Sequence, residues 1–208
     1  MARVELFFDC SSPGTYLAFH RLLQLNQRMP FDIEWRPVFI GGIFKAANPG
    51  VFETRANYPA VKAAYATKDF EDWERLTGLR IVWPQPYHPV NSIKAMRGCV
   101  AAARQGKIVE VARATFEAYW GKGLDISDDA VLAGICGVAG ISREDYSQGI
   151  ARDDVKEELR ANGEELIARG GFGVPTLFVN GDDMYWGNDR MELVEAAIAR
   201  SNAADAAR

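Results

Sequence analysis

Residues 4–17 of this chain read VELFFDCSSPGTYL, and the rest of the sequence is organised around them. The first half is interrupted only by Glu5 and is otherwise apolar, which is typical of a strand buried on both faces. Ser12 and Pro13 then supply the N-cap and first-turn residues that favour a helix start, and apolar residues follow at helical spacing. The stretch therefore predicts a strand that ends where a helix begins.

Ser12 allows two interpretations. A serine at this position most often only caps its helix. A helix N-terminus also presents unpaired N–H groups at its positive end, where an anion is stabilised, but this second interpretation needs a partner segment elsewhere. Residues 171–179, GFGVPTLFV, offer one, because Pro175 opens a β-branched and aromatic run, as a cis-proline loop before a strand does.

Composition and charge narrow the class of protein. The 208 residues suffice for one substantial core, or for a core with an inserted subdomain. The net charge of −4 argues against nucleic-acid or anionic-membrane partners, and no apolar run approaches a membrane span. The N-terminus runs directly into the first strand, so we expect no signal peptide.

The cysteines and histidines point to a compartment and argue against a metal. Three cysteines without CxxC spacing indicate unpaired, buried thiols in a reducing cytoplasm. Cys10 is expected to be a core residue, although a side-reacting thiol is the alternative. Neither His20 nor His88 has a neighbouring ligand residue, so we expect no metal site.

The middle of the chain is expected to be helical. Residues 31–37 alternate apolar and polar, which predicts a second strand parallel to the first. Residues 41–49 read as a surface loop loosened by two glycines, and residues 59–167 as helices nearly throughout. The first long helix should bury one apolar face, made of Val61, Ala64, Tyr65, Phe70, Trp73 and Leu76.

The C-terminal part predicts a hairpin and a last helix. Residues 176–179 and 184–186 are joined by Asn-Gly-Asp and read as paired strands. Asp189 begins a capping-box pattern for a helix over 191–200, while residues 203–208 are expected to fray. Asp189 is ambiguous, because its carboxylate can cap the helix, hold the ammonium of a ligand, or do both.

The order of these elements resembles the DsbA-like branch of the thioredoxin superfamily. That branch has cysteines where this chain has Ser12 and Thr15, so the redox couple is missing here. The resemblance implies an α/β thioredoxin-like fold with a large all-helical insertion. It places residues 1–43 and 170–208 in a thioredoxin-like domain and residues 44–169 in an inserted helical domain.

Further segments resemble the glutathione-dependent 2-hydroxychromene-2-carboxylate isomerases and the related kappa-class glutathione transferases. These are residues 42–49, GIFKAANP, residues 186–190, WGNDR, and the K-x-x-Y pair at residues 62 and 65. The resemblance implies that glutathione is the cofactor, that a homodimer forms, and that Ser12 is catalytic. It also implies a set of glutathione-binding residues: Asn48, Lys62, Val174, Asn188 and Asp189.

Three functions remain open at this stage. The isomerases resembled imply reversible thiolate addition to an aromatic keto acid, which interconverts 2-hydroxychromene-2-carboxylate and trans-o-hydroxybenzylidenepyruvate in naphthalene catabolism. The kappa class implies conjugation or peroxide reduction, and a non-catalytic thioredoxin-like binding module is the third reading. Trp186 and residues 45–49 favour the isomerase. Ser11 and Gly14 depart from the usual aliphatic and bulky residues beside Ser-Pro, so the aromatic substrate itself is not predicted.

Overall fold

Four strands form one mixed sheet at the centre of the molecule. In a computed structural model, which describes residues 1–206, they are β1 (Arg3–Phe8), β2 (Asp32–Pro37), β3 (Thr176–Val179) and β4 (Asp183–Trp186). The sheet order is β2-β1-β3-β4, with β1 parallel to β2 and antiparallel to β3. The predicted thioredoxin-like α/β fold, with its helical insertion between β2 and β3, is confirmed.

The described residues contain ten α-helices. Helix α1 (Pro13–Arg28) connects β1 to β2, and α10 (Met191–Ala206) follows β4. The insertion holds α2 (Ile40–Ala47), α3 (Gly50–Ala56), α4 (Ala60–Thr77), α5 (Ile93–Ala103), α6 (Ile108–Phe116), α7 (Asp129–Val138), α8 (Arg143–Ala151) and α9 (Asp153–Ala168). A π-helical turn, Glu117–Gly121, extends α6, and a 3-10 turn, Asn188–Arg190, precedes α10.

The predicted loop over residues 41–49 is wrong, because helix α2 occupies most of it. Gly41, at its start, leaves room for a neighbouring ring. A Cβ on Gly41 would lie 2.6 Å from Cζ of the Phe39 ring, so a larger residue there would require this ring to move. Sequence periodicity could not show this close approach.

The last helix is longer than predicted and does not fray at residues 203–206. Asn202 accepts a hydrogen bond from the Ala2 N–H at 2.8 Å, and Asp205 pairs with the N-terminal ammonium at 2.6 Å. These contacts with the start of β1 hold the end of α10. The remainder of the predicted tail, residues 207–208, lies outside the described residues.

The predicted buried face of α4 is wrong. Phe70 and Trp73 are half-buried against the core, but Val61, Tyr65 and Leu76 are 77%, 64% and 74% exposed. No side chain of this helix is buried within the described chain. The apolar face exists in the sequence, yet only its central part finds a partner in this chain.

One hydrophobic core joins the sheet to the helical insertion. The Phe116 ring at the end of α6 contacts the rings of Tyr16 and Phe19 at centroid distances of 5.5 and 5.2 Å. The Trp120 indole N–H donates to the Cys10 carbonyl at 3.0 Å. Helix α2 runs across the predicted boundary between residues 43 and 44. The division of the chain into two domains stays a prediction.

A smaller hydrophobic cluster covers the other face of the sheet. Glu5, the charged residue that interrupts the apolar run of β1, lies on this face. Phe7 and Phe178 pack edge to face there, with ring centroids 5.7 Å apart. Arg169 lies 3.7 Å over the Phe178 ring and donates to Glu5 at 2.7 and 3.1 Å. Glu5 is 7% exposed, so this pairing allows a carboxylate in a strand that is otherwise apolar.

The ionisation of His20 in α1 makes the stability of the fold depend on pH. Burial, with a smaller effect of Arg113, lowers the pKa of His20 from 6.5 to about 4. The unfolded chain therefore binds more protons than the folded chain between these values, and stability should fall as pH drops from 6.5 towards 4. After allowance for partial solvent exposure, we expect His20 to contribute about 1–2 kcal/mol to this loss.

Chemical denaturation of the parent and His20→Phe at several pH values would check this expectation. Phenylalanine keeps a ring against Tyr16 and Phe19 but cannot titrate. The loss over this pH range should therefore be smaller in the variant. Parallel pH profiles for the two proteins would contradict the prediction.

Candidate active site

Ser12 stands at the N-terminus of α1, immediately after β1. Its backbone is extended, with φ −96° and ψ 123°, and its hydroxyl oxygen accepts from the Thr15 N–H at 3.2 Å. The predicted N-cap is therefore confirmed. The hydroxyl also donates to the Val174 carbonyl at 3.4 Å. Ser12 thus links the first turn of α1 to the loop before β3.

The loop that faces Ser12 contains a cis peptide bond between Val174 and Pro175, as predicted. Antiparallel pairing places Thr176, at the start of β3, opposite Phe7 near the end of β1. Since antiparallel neighbours run in opposite directions, these two ends meet at one edge of the sheet. This arrangement brings Ser12 and Val174 together although 162 positions separate them in sequence.

A cavity of about 510 Å³ opens beside these two residues, and we call it the Ser12 cavity. Its wall opposite α1 is formed by α2 and by the proline-containing loop between α4 and α5. The lining is predominantly apolar and includes Phe39, Phe44, Phe52, Val90 and Val174. A planar aromatic molecule would find an apolar surface here, with the Ser12 hydroxyl at one end.

His88 also lines the Ser12 cavity, and the sequence reasoning missed it. Its Nδ1 lies 3.2 Å from the Tyr119 hydroxyl, and its ring contacts the Trp120 ring at 5.6 Å. From the sequence, His88 was considered only as a metal ligand. One signal in the sequence could have drawn attention to His88: it lies in a proline-rich segment, and prolines favour a fixed loop over a mobile one.

Asp9 lies next to the Ser12 cavity and accepts hydrogen bonds from three segments, of which Ser11 and Ile40 line the cavity. One carboxylate oxygen accepts from the N–H and the hydroxyl of Ser11 at 2.8 and 2.9 Å. The other accepts from the Ile40 N–H at 2.9 Å and the Ser92 hydroxyl at 2.8 Å. Burial raises the pKa of the Asp9 carboxyl, and these donors oppose the rise. The group is fully buried, so it positions the wall rather than reaching into the cavity.

Asn188 lies beside the first turn of α1, and Gly14 makes room for it. A Cβ on Gly14 would lie 3.3 Å from the Asn188 Oδ1 and 3.9 Å from the Ser12 Oγ. This close approach accounts for a glycine directly after Ser12-Pro13. The Asn188 Nδ2 is buried and has no hydrogen-bond partner among the described residues. Asn188 does not line the Ser12 cavity itself.

Asp189 is exposed and forms an ion pair with Arg190 at 2.6 Å. Glu192 pairs with Arg21 of α1 at 2.5 Å. The two carboxylates therefore bind arginines rather than closing the predicted capping box. Gly187 precedes them with φ 105°, and a Cβ there would lie 2.6 Å from the Asp189 carboxylate. The turn thus fixes Asp189 near, but outside, the lining of the Ser12 cavity.

Asn48 and Lys62 are placed further out. Asn48 is the C-cap of α2, where its N–H donates to the Phe44 carbonyl at 3.0 Å, and Phe44 lines the cavity. Lys62 is exposed in the first turn of α4, and it is not part of the cavity lining. Of the predicted binding residues, Val174 contacts Ser12 and lines the cavity. Asn188 lies beside Gly14 in the first turn of α1, and Asn48, Asp189 and Lys62 are further out; none of these four lines the cavity.

The three cysteines are free and buried in the core, as expected from their spacing. Burial raises the pKa of Cys10 well above its ordinary value, with a further contribution from the neighbouring Cys99 thiol. A thiol that resists ionisation is a poor nucleophile. Cys10 is therefore a core residue, and it does not line the Ser12 cavity.

Residues 1–206 contain neither a cluster of metal-binding side chains nor a membrane-spanning helix. No group of three or more His, Cys, Asp or Glu side chains in this range is arranged to hold a metal ion. Within the same range, no helix combines the length and the apolar character needed to cross a bilayer.

A family model for the DSBA-like thioredoxin domain matches residues 3–199, which is nearly the whole described chain. The chain belongs to this family. It is 31% identical to a 2-hydroxychromene-2-carboxylate isomerase of Pseudomonas sp. (strain C18), across 94% of this chain and 89% of that protein. It is also 28% identical to human glutathione S-transferase kappa 1, across 92% of this chain and 88% of the transferase.

A solved 2-hydroxychromene-2-carboxylate isomerase superposes on this DSBA-like chain with a TM-score of 0.82 and 27% identity, covering 98% of both chains. A probable DsbA oxidoreductase from Streptomyces coelicolor superposes with a TM-score of 0.78 but only 16% identity, which shows the fold alone. The predicted similarity to the isomerases, with the kappa-class transferases more distant, is confirmed. Both groups of relatives are enzymes by name.

Proposed function

We propose that this protein is a glutathione-dependent isomerase that interconverts 2-hydroxychromene-2-carboxylate and trans-o-hydroxybenzylidenepyruvate. The observation that carries the proposal is the Ser12 hydroxyl, held at a helix N-terminus opposite Val174 at the end of an apolar cavity. Relatives named as this isomerase support the choice of substrate class.

The residues present fit glutathione as the cofactor. The Ser12 hydroxyl and the helix N-terminus favour an anionic sulfur, and the backbone of Val174 offers strand-like pairing to a peptide. The Asn188 Nδ2 is a buried donor without a partner in the described chain. We assign Ser12 the catalytic role and propose Asn48, Lys62, Val174, Asn188 and Asp189 as the binding residues.

When bound, glutathione would supply the thiolate that adds reversibly to the conjugated keto acid. The chain's own task is to keep that sulfur anionic at neutral pH. Lowering a thiol pKa from about 8.5 to about 7 requires roughly 2 kcal/mol. One charge-assisted hydrogen bond from Ser12 and the dipole of α1 can together supply that amount. The apolar wall formed by Phe39, Phe52 and Val90 would hold the aromatic ring and exclude water.

The direct test is spectroscopic turnover of 2-hydroxychromene-2-carboxylate with and without glutathione. An isomerase should require glutathione and leave the total thiol concentration unchanged over many turnovers. Consumption of thiol would favour a kappa-class-like transferase or peroxidase. Saturable glutathione binding without either reaction would favour a thioredoxin-like binding module.

The positions of the proposed binding residues predict unequal effects on glutathione affinity. Asn188→Ala should raise the dissociation constant by about fivefold to tenfold, because it removes a donor beside Ser12. Lys62→Ala should change it less, since Lys62 is exposed outside the cavity lining. Calorimetric titration of both variants checks this order. A larger effect of Lys62→Ala would mean that Lys62 reaches glutathione in the bound state.

A homodimer and a cytoplasmic location complete the proposal. Val61 and Tyr65 of α4, with Phe52 of α3 and Tyr58 between these helices, are apolar or aromatic and at least 48% exposed. An exposed patch of this kind fits a protein interface. Sedimentation of the parent and of Tyr65→Lys would test whether a second copy covers it. The three free, buried cysteines support a reducing compartment.

A further inference from the structure

A second cavity, of about 370 Å³, lies between α2, α5 and α9. It is on the opposite face of α2 from the Ser12 cavity. Gly41 and Phe44 line the Ser12 cavity, whereas Ile43 and Ala46 line the second one, and helical periodicity puts these pairs on different faces. We call it the Arg97 cavity, after one of the three cations in its lining.

The lining of the Arg97 cavity is apolar apart from a few charged side chains. Hydrocarbon surface comes from α2, α5, α9 and the residue before α2: Phe39, Ile43, Ile93, Leu159 and Ile167. A volume of about 370 Å³ is within the range of small-molecule sites. The cavity therefore suits a compact apolar body.

Arg97 on α5 is the unusual group in this lining. Its Nε–H is buried and has no hydrogen-bond partner in the described chain, and its guanidinium forms no ion pair with any described residue. A partly buried guanidinium normally binds a carboxylate or phosphate with its fork of donors. Here the fork borders an apolar cavity without such a partner.

The other charges of the lining are already neutralised. Arg160 pairs with Glu157 and with Glu164, which also lines the cavity, and Lys156 pairs with Asp153 at 2.8 Å. Arg97 is thus the cation of the lining that has no carboxylate partner among the described residues, whereas Arg160 has two. A ligand that complements this site carries one negative charge.

We propose that the Arg97 cavity binds a small monocarboxylate with an apolar body, whose carboxylate pairs with Arg97 and whose hydrocarbon part packs on Ile43 and Leu159. One unpaired guanidinium, with the Glu164 carboxylate also in the lining, favours a single carboxylate over a phosphate or a dicarboxylate. The apolar lining favours an aryl or short alkyl group over a sugar. This site lies on the other face of α2 from the Ser12 cavity, shares only Phe39 with its lining, and does not depend on the activity proposed for it.

The test is calorimetric titration of the full chain with 3-phenylpropionate, a saturated acid that cannot accept a thiolate. We expect saturable binding at one site, and binding at least about tenfold weaker for the uncharged 3-phenylpropionamide. Arg97→Met keeps the length of the side chain but removes its charge, so it should weaken binding of the acid by a similar factor. Glutathione should not displace the acid.

Two variants on α2 locate the site even if Arg97→Met folds poorly. Ala46 is exposed at the rim of the Arg97 cavity, so Ala46→Trp should block binding of the acid. Lys45 is its exposed neighbour and lines neither cavity, so Lys45→Trp is the matched control and should bind normally. The proposal is overturned by equal binding of acid and amide, by displacement by glutathione, by unchanged binding in Ala46→Trp, or by no saturable binding.

Discussion

Replacing Ser12 by alanine should slow isomerase turnover by roughly ten- to a thousand-fold, equivalent to about 1.4–4 kcal/mol of transition-state stabilisation. The reason is that the variant loses the hydroxyl that we expect to donate to the sulfur, so the pKa of the bound thiol rises. Stability should fall by only about 1 kcal/mol, the usual cost of losing an N-cap. Initial rates and chemical denaturation would measure the two effects separately.

The chain provides a matched control for the capping contribution. Ser142 caps α8 in the same way, with its hydroxyl accepting from the Asp145 N–H at 3.0 Å, and it does not line the Ser12 cavity. Ser142→Ala should therefore cost a similar amount of stability and leave turnover unchanged. If Ser12→Ala and Ser142→Ala had equal, small effects on turnover, Ser12 would act only as a helix cap.

A spectroscopic measurement separates the two roles of Ser12 without turnover. The absorbance of the glutathione thiolate rises with pH as the bound thiol ionises. The midpoint of this rise should lie at higher pH in Ser12→Ala. Ser12→Cys is a sharper probe, because added oxidised glutathione should form a mixed disulfide with the new thiol and release one reduced glutathione. Superimposed curves for the parent and Ser12→Ala would mean that another group stabilises the thiolate.

Asp9→Ala should lower the free energy of unfolding by about 3–5 kcal/mol, the largest stability effect that we expect in this chain. The substitution removes the acceptor for two backbone N–H groups and two hydroxyls. Buried donors left without an acceptor cost about 1–3 kcal/mol each before the structure relaxes. Because Ile40 begins α2, the same change should also weaken glutathione binding in the Ser12 cavity.

Two further variants test the assignment of Asp9. Asp9→Asn keeps one acceptor oxygen but turns an amide NH₂ towards donors, so its stability should lie between the parent and Asp9→Ala. Ser92→Ala removes one hydroxyl and should cost only about 1 kcal/mol. In Asp9→Ala/Ser92→Ala the two losses should not add, since both act on one hydrogen bond. Full additivity in a double-mutant cycle would contradict the network.

Much of the frame could be predicted from local patterns. The strand before Ser12, the helix after Pro13, the hairpin over residues 176–186 and the cis bond before Pro175 all follow from caps, periodicity and turn residues. Each of these signals acts over a few neighbouring residues, so the sequence contains it in full. The similarity to isomerases likewise rested on short contiguous segments, and the comparisons confirmed it.

Contacts between distant segments depended on the tertiary structure. Asp9 accepts hydrogen bonds from Ile40 and Ser92, which are 31 and 83 positions away in sequence, and no local pattern predicts either partner. The entry of His88 into the Ser12 cavity and the close fit of Asn188 against Gly14 are of the same kind. They depend on how the loops close, and periodicity carries no information about loop closure.

The errors in the prediction have the same physical origin. The sequence by itself determined that α4 has an apolar face, but only the packing of the chain decided which part of that face is covered. It also showed the glycines of α2, but only the structure showed that the Phe39 ring occupies the space that a Cβ on Gly41 would need. Hydrophobic pattern and backbone propensity are properties of single segments, whereas burial and close approach are properties of pairs of segments brought together by the whole fold.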